Sequence, residues 1–268
     1  MTAAGQGRVL IVAGSDSGGG AGIQADIKTV TMLGGFAATA ITALTAQNTL
    51  GVHGVHDVPP EFVAQQMRVV LQDIGADAIK IGMLSTSGVI EAVVQVIDEL
   101  APHVPLIVDP VMAAKGGARL LRPEAESALI ERLIPRATII TPNLPEAEAL
   151  IGHAIPDAAA MADAARALLS LRPKAVLLKG GHLQGHELLD LLQTPDGATR
   201  FVSERIDSRH THGTGCTLAS AIATGLAFGK PLQQAVAEAR DYVRQAMLTA
   251  PGLGQGHGPL NHGWPLQR

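Results

Sequence analysis

The sequence predicts an α/β fold: a mainly parallel sheet with helices on both faces. Two observations carry the prediction. Short apolar, β-branched runs alternate with segments of helical period, the pattern of parallel strands joined by crossover helices. Polar residues then fall at or just past the ends of those runs, at Gly14, Lys80, Asp109, Asn143 and Lys179. In open α/β sheets the ligand crevice lies at the C-terminal ends of the strands, so these residues outline a site.

The elements follow in order. Val9 to Ala13 predicts a buried first strand. Ile23, Ile27, Val30 and Leu33 mark a helix ended by Gly34-Gly35. Phe36 to Leu44 is the second strand. Pro60 opens a helix with Val63, Met67, Val70, Leu71 and Ile74 on one face. Ala78 to Ile81 predicts a strand, Val89 to Leu100 a helix, and Leu106 to Val108 a strand. Ala137 to Ile140 predicts another strand. Ala158 to Leu171 follows as a helix with Asp157 as its N-cap. Ala175 to Leu178 is a strand ending at Lys179-Gly180-Gly181. Leu188 to Leu192 and Thr199 to Val202 predict a hairpin around Pro195-Asp196-Gly197. Two helices close the chain, after Gly215 and after Pro231, and Pro251 to Arg268 reads as loop, as does Met1 to Gly7.

Composition bounds the function. A chain of 268 residues with 47% apolar and 16% charged residues suits one α/β domain over 1–268 with a large core. A net charge of −4, without a run of Lys and Arg, argues against nucleic acid as a partner. One cysteine cannot form an internal disulfide, so the fold needs no oxidising compartment. No apolar stretch approaches the ~18 residues of a membrane span, and the start lacks a signal h-region. The expectation is a cytoplasmic protein with no membrane partner.

Two glycine-rich segments carry chemistry. His212-Gly213-Thr214-Gly215-Cys216 leads into an apolar helix, where Leu218, Ile222 and Leu226 share a face. Gly213 and Gly215 let the backbone turn its N–H groups toward one point, and the helix adds unpaired donors and its positive dipole end. Such a place binds an anion, usually phosphate, and favours thiolate over thiol at Cys216. The plain alternative for Cys216 is a buried structural thiol. The other segment is Gly14 to Asp26. Its Gly20-Ala21-Gly22-Ile23-Gln24-Ala25 matches a dinucleotide fingerprint by the letter, but the ribose-binding acid expected about 20 residues on is missing. Asp26 falls in the first turn of the predicted helix, where a carboxylate suits the dipole. His210 and His212, like His182 and His186, lack zinc-ligand neighbours at the right spacing.

Further blocks follow in the chain: Thr42 to Asn48, Lys80-Ile81-Gly82-Met83-Leu84, Asp109-Pro110-Val111-Met112, Thr141 to Glu148, Lys179-Gly180-Gly181-His182 and His210 to Thr217. With Ala13 to Asp16 and Gly22 to Asp26, these blocks resemble the hydroxymethylpyrimidine/phosphomethylpyrimidine kinases, the thiamine-pathway branch of the ribokinase superfamily. The resemblance spans about residues 8 to 262. It departs in the first loop, where the family often has a proline and this chain reads Ser15-Asp16-Ser17-Gly18.

The resemblance implies a ribokinase-like three-layer sandwich and a homodimer. It implies two transfers of the ATP γ-phosphoryl group, to the pyrimidine's hydroxymethyl oxygen and then to the monophosphate. It implies that Gly14, Asp26, Gln47, Met83 and Val111 line the pyrimidine pocket. Residue chemistry agrees for Gln47, because a carboxamide offers the acceptor and donor that an aminopyrimidine edge needs. Met83 is either plain core or a polarizable contact to the ring. Asn143 and Glu146 resemble the superfamily's Asn-x-x-Glu element near Mg²⁺ and the phosphates; Glu146 also reads as a dipole partner in a first helical turn. Asp109 adds charge near the metal, and Lys179 and Thr214 meet nucleotide phosphate. Cys216 stands where sugar kinases of the superfamily carry an aspartate base, beside the cradle of Gly213 and Gly215. Three other readings remain open: a pyridoxal or pyridoxine kinase, a non-catalytic pyrimidine-binding protein, and a nicotinamide oxidoreductase.

Overall fold

The computed structural model describes residues 7–114, 116–181, 183 and 185–267. Strand β1 (Arg8–Asp16) pairs in parallel with β2 (Phe36–Asn48) on one side and β4 (Ala78–Ile81) on the other. The parallel part continues through β5 (Leu106–Val108), β6 (Ile139–Ile140) and β7 (Val176–Lys179). Antiparallel strands close both edges: β3 (Gly51–Asp57) beside β2, and the hairpin of β8 (Glu187–Thr194) and β9 (Gly197–Glu204) beside β7. The order β3-β2-β1-β4-β5-β6-β7-β8-β9 reverses direction between β1 and β4, which makes their C-terminal ends the switch point where α/β sheets bind ligands.

Side-chain alternation builds a core on each face. Leu10, Val12, Ile79, Ile81, Leu106 and Val108 pack under α2 (Pro60–Asp73), α3 (Ser87–Leu100), α5 (Leu144–Ile151) and α6 (Ala160–Leu169). Segment 123–136, which contains the one-turn α4 (Glu126–Ala128), covers the same face. Val9, Ile11, Ala13, Ile107 and Leu177 pack under α1 (Gly22–Met32), α7 (Thr214–Ala227) and α8 (Leu232–Leu248). The expected sandwich of helix, mainly parallel sheet and helix is therefore present.

Several elements differ from the sequence reading. β1 and β2 run on to Asp16 and Asn48, carrying the first glycine segment and Gln47 into the sheet. β3 was not expected. Its Gly51-Val52-His53-Gly54-Val55-His56-Asp57 has no buried face, and only its ladder with β2 makes it a strand. Segment 123–136 mixes short 3-10, α and π turns around Pro135, so no single period marks it. α7 begins at Thr214, which places Gly215 inside the helix. α6 begins at Ala160, yet Asp157 still accepts its N–H at 2.9 Å. Asp26 is the fifth residue of α1, beyond the first turn, so it is no dipole partner.

The C-terminal tail is loop up to a short turn at Trp264–Gln267, and it braces the start of α7. Gly258 accepts the His212 backbone N–H at 3.2 Å, and His262 Nε2 lies 3.0 Å from Thr217 Oγ1. Among the described residues, no helix is long and apolar enough to cross a membrane. His182, Met1 to Gln6 and Arg268 lie outside the described residues.

Candidate active site

Strand ends, the turn before α7 and the start of α5 enclose a cavity of about 1140 Å³. That exceeds the ~300–1,000 Å³ usual for one small ligand. Gly14, Gln47, Met83 and Val111 line it. So do Asp109, Asn143, Glu146, Lys179, Gly213, Thr214, Gly215 and Cys216. The structure thus gathers every predicted site residue but one.

The exception is Asp26. It is fully buried and does not line the cavity. Its two oxygens accept from Lys80 Nζ at 2.8 Å and from Ser220 Oγ at 2.7 Å. Lys80 shares the Ala78 side of β4, so it projects between α1 and α7, where those partners sit. Burial disfavours the Lys80 ammonium, but Asp26, Cys216 and Asp109 outweigh it and hold the lysine above its usual range. Burial pushes Asp26 upward against the pull of Lys80 and Ser220. The short, fully satisfied contacts favour the charged pair. Asp26 therefore supports the floor of the site and has no free oxygen aimed into it, contrary to the pocket-lining expectation.

The turn before α7 has the geometry its glycines promised. Gly213 adopts φ 83°, and a Cβ there would lie 1.9 Å from Gly20 O. A Cβ on Gly215 would meet Asp109 and Lys179 at 3.3 Å, so the bare backbone faces those two side chains. Thr214, Gly215 and Cys216 at the start of α7 line the cavity beside them, with the Thr214 N–H directed at Thr211 O at 3.4 Å.

Cys216 corrects the thiolate expectation. It is half-buried, and the protein packed around it pushes the thiol up to about 12. Lys80 pulls the other way, while Asp26 and Asp109 add to the rise. Burial and the nearby carboxylates outweigh the favourable lysine, so the resting group is a thiol.

The phosphate-side residues form a linked set. Lys179 Nζ lies 3.2 Å from Asp109 Oδ1, which also accepts from Thr141 Oγ1 at 3.0 Å. Lys179 is nearly buried and paired, not a solvated strand-end lysine. Burial lowers it, but Asp109 and Glu146 raise it further, so it stays charged. Asn143 and Glu146 make a reciprocal capping box on α5, each side chain accepting the other's backbone N–H at 2.9 Å. Glu146 therefore caps the first turn of α5, where it was expected as a dipole partner, and one carboxylate oxygen remains outside that bond. Burial, then repulsion from Asp109, pushes Glu146 up to about 7 against Lys179 and Asn143.

The first glycine segment is not an anion site. Asp16, buried, accepts from the backbone N–H of Gly18, Gly20 and Ala21 at 2.8–3.0 Å. His212 Nε2 sits 2.8 Å from the same carboxylate. Burial would raise Asp16, but His212, Ala21 and Gly18 hold it below the usual carboxylate range. The loop's donors are spent on the chain's own carboxylate, so a pyrophosphate has nothing to bind there. This removes the physical basis of the nicotinamide reading.

Sequence reasoning gave no role to Asp16 or His212, although both lie in quoted motifs. It also missed Asp190. This residue accepts from Gly180 N at 3.0 Å and Arg240 Nε at 2.8 Å, fixing the loop after β7. Only the fold brings β8, α8 and that loop together.

The family model described as phosphomethylpyrimidine kinase matches residues 16–261. The chain belongs to this kinase family. It is 54% identical over 257 residues to a thiamine biosynthesis bifunctional protein of Geobacter sulfurreducens, covering 96% of this chain and 52% of that protein. The chain therefore spans about half the length of that relative. It is 50% identical over 256 residues to a hydroxymethylpyrimidine/phosphomethylpyrimidine kinase of Rhizobium meliloti, covering 94% of this chain and 96% of the relative. Among solved structures, the ADP complex of Bacillus subtilis pyridoxal kinase superimposes with a TM-score of 0.88. That pair is 34% identical over 97% of this chain and 99% of the other.

Proposed function

We propose that this kinase uses ATP to phosphorylate 4-amino-5-hydroxymethyl-2-methylpyrimidine and then its monophosphate, supplying thiamine biosynthesis. One observation carries the reading. A single cavity is lined by an anion turn and by a carboxamide with a thioether, with room for a nucleotide beside a small ring. The pyrimidine lies against Gly14, Gln47, Met83 and Val111. Gln47 takes the amine and donates to the ring nitrogen, as carboxamides read adenine. The hydroxymethyl group then faces the Gly213–Cys216 turn.

Phosphoryl transfer requires placement and charge neutralisation. The N–H groups of Gly213, Thr214, Gly215 and Cys216 stabilise the transferring group. Lys179, Asn143 and Thr214 hold the nucleotide phosphates. In the first transfer the alcohol oxygen bonds to the γ-phosphorus, the bond to the β-phosphate oxygen breaks, and the alcohol proton passes to Cys216 as its minor thiolate form. In the second transfer the nucleophile is a phosphate oxygen that is already anionic, and it needs no base.

The residues fit Mg²⁺. Asp109 and Glu146 are close enough to repel, both offer oxygen, and Mg²⁺ needs only one or two carboxylates beside waters and phosphates. When bound, Mg²⁺ offsets the phosphate charge.

A pyridoxal kinase is the second reading, favoured by the 0.88 superposition with one. Product analysis after parallel incubations of ATP and Mg²⁺ with hydroxymethylpyrimidine and with pyridoxal decides. Mono- and then diphosphate are expected; phosphate on pyridoxal alone would overturn the first reading. The free thiol of Cys216 suits a cytoplasmic setting. A homodimer is supported by exposed Leu44, Val55, Phe62 and Val69 on β2, β3 and α2, and sedimentation would test it.

A further inference from the structure

We propose that His212 is a positioning residue: its Nε2–H, anchored on Asp16, fixes which end of the Gln47 carboxamide faces it, and thereby the substrate edge that Gln47 reads. The inference rests on the reading of Gln47 as the pyrimidine contact.

Asp16 Oδ2 accepts from Gly20 N at 3.0 Å and Ala21 N at 2.8 Å, and His212 Nε2 lies 2.8 Å from the same oxygen. A carboxylate only accepts, so Nε2 must carry a proton. That nitrogen then has no lone pair left. One end of the Gln47 carboxamide lies 3.4 Å from it. With the amide nitrogen at that end, two N–H donors face each other. With the carboxamide turned over, its oxygen faces Nε2–H.

The other end of the carboxamide settles the choice. It lies 3.1 Å from Thr45 Oγ1. Thr45 has one hydroxyl proton, and Ser15 O is its nearer acceptor at 2.9 Å. Oγ1 is then free to accept, and the turned-over NH₂ donates to it. The Nε2–H is shared between Asp16 and the amide oxygen, the hydroxyl and amide protons each find an acceptor, and no donor meets a donor. The two ends of a carboxamide are told apart by such partners, not by shape. A register shift between Ala46 and Gln47 in β2 aims the side chain at this pair.

The consequence is specificity. An aminopyrimidine presents an amine donor next to a ring-nitrogen acceptor. A carboxamide held one way round matches that order, and the reverse sets donor on donor and acceptor on acceptor. His212 selects between them without touching the reacting atoms. Its ring packs on Gly20, where a Cβ would come within 2.4 Å of Cδ2, so the imidazole has little freedom.

The test combines kinetics with a proton readout. His212→Leu removes the donor. KM for hydroxymethylpyrimidine is expected to rise about ten- to a hundredfold, the span of one bidentate contact. KM for ATP and kcat should stay within about threefold, because neither depends on the amide. His212→Gln places an amide N–H near the Nε2 position and should restore most of the pyrimidine KM. A role confined to holding the anion turn would instead raise KM for ATP and lower kcat, and that result overturns the proposal. Imidazole ¹⁵N spectra of the wild-type protein, with His212 assigned through the His212→Gln spectrum, are independent of the Leu variant's folding. A protonated Nε2 is expected, and a bare Nε2 with Nδ1–H overturns the proposal. If the wild type does not phosphorylate the pyrimidine at all, the substrate reading fails, while the spectrum still decides the His212 tautomer on which the Gln47 orientation rests.

Discussion

Replacing Cys216 by Ala separates the two transfers. The structure sets the scale. With the thiol pushed up to about 12, only about one molecule in 10⁴ carries a thiolate at pH 8. If that fraction accepts the alcohol proton, the thiolate's share of the first transfer in the wild type should grow about tenfold per pH unit between pH 7 and 9. The second transfer should show no such slope from Cys216. General-base assistance is worth about 10²–10⁴ for a molecule in the right protonation state, so at pH 8 Cys216→Ala should slow the first transfer less than about tenfold, and the loss should widen as pH rises. The second should lose no more at high pH than at low, since its nucleophile arrives ionised. The assay is initial rate with alcohol and, separately, with monophosphate. Because Cys216 is the chain's one cysteine, its alkylation by iodoacetamide reports the thiolate directly. That rate should climb through pH 10 without a plateau. Equal losses in both transfers, or an alkylation plateau below pH 9, would refute the reasoning and leave Cys216 as part of the anion cradle.

Three further outcomes are expected. Lys80→Met strands the buried Asp26 charge and should cost about 3–5 kcal/mol in urea unfolding; adding Asp26→Leu should recover much of it, because a buried pair gives little net stability. His262 is pushed down to about 4 by burial and Lys28, against about 6.5 unfolded. Its folded pKa is the lower one, so its contribution is full above pH ~6.5 and fades as pH falls toward 4. That is worth about 3 kcal/mol, and a His262→Gln variant should lose this part of the slope in denaturant titrations at stepped pH. Glu146→Gln keeps the acceptor of the capping box and so should leave the melting temperature within a few degrees, while raising the Mg²⁺ concentration needed for half-maximal activity about tenfold or more. An unchanged Mg²⁺ requirement would remove Glu146 from the metal's surroundings.

Much of the fold was legible because its parallel strands are short, apolar and bounded by glycine or proline. β4 and β5 came out to the residue, since Leu106 to Val108 is an unbroken apolar run and Ala78 to Ile81 is one but for Lys80, and both are buried on both faces. β3 was not legible, because its pairing with β2 creates it and its own side chains do not. The candidate site was legible in its parts. Glycines, an Asn-x-x-Glu box and a lone cysteine each announce a backbone chemistry that depends on near neighbours in sequence.

Sequence by itself determined the class of fold, the family and the residues that gather around the cavity, because these follow from local periodicity and short motifs. Tertiary structure alone decided how they are wired. Asp26 turned out to be a buried partner of Lys80, since β4 and α1 meet only in the folded sheet. Asp16 claimed the amides of the first glycine segment and caught His212 from 196 residues away. The state of Cys216 was likewise set by packing. Helix position favours a thiolate, but burial and two carboxylates brought close by the fold favour the thiol, and those outweigh the dipole.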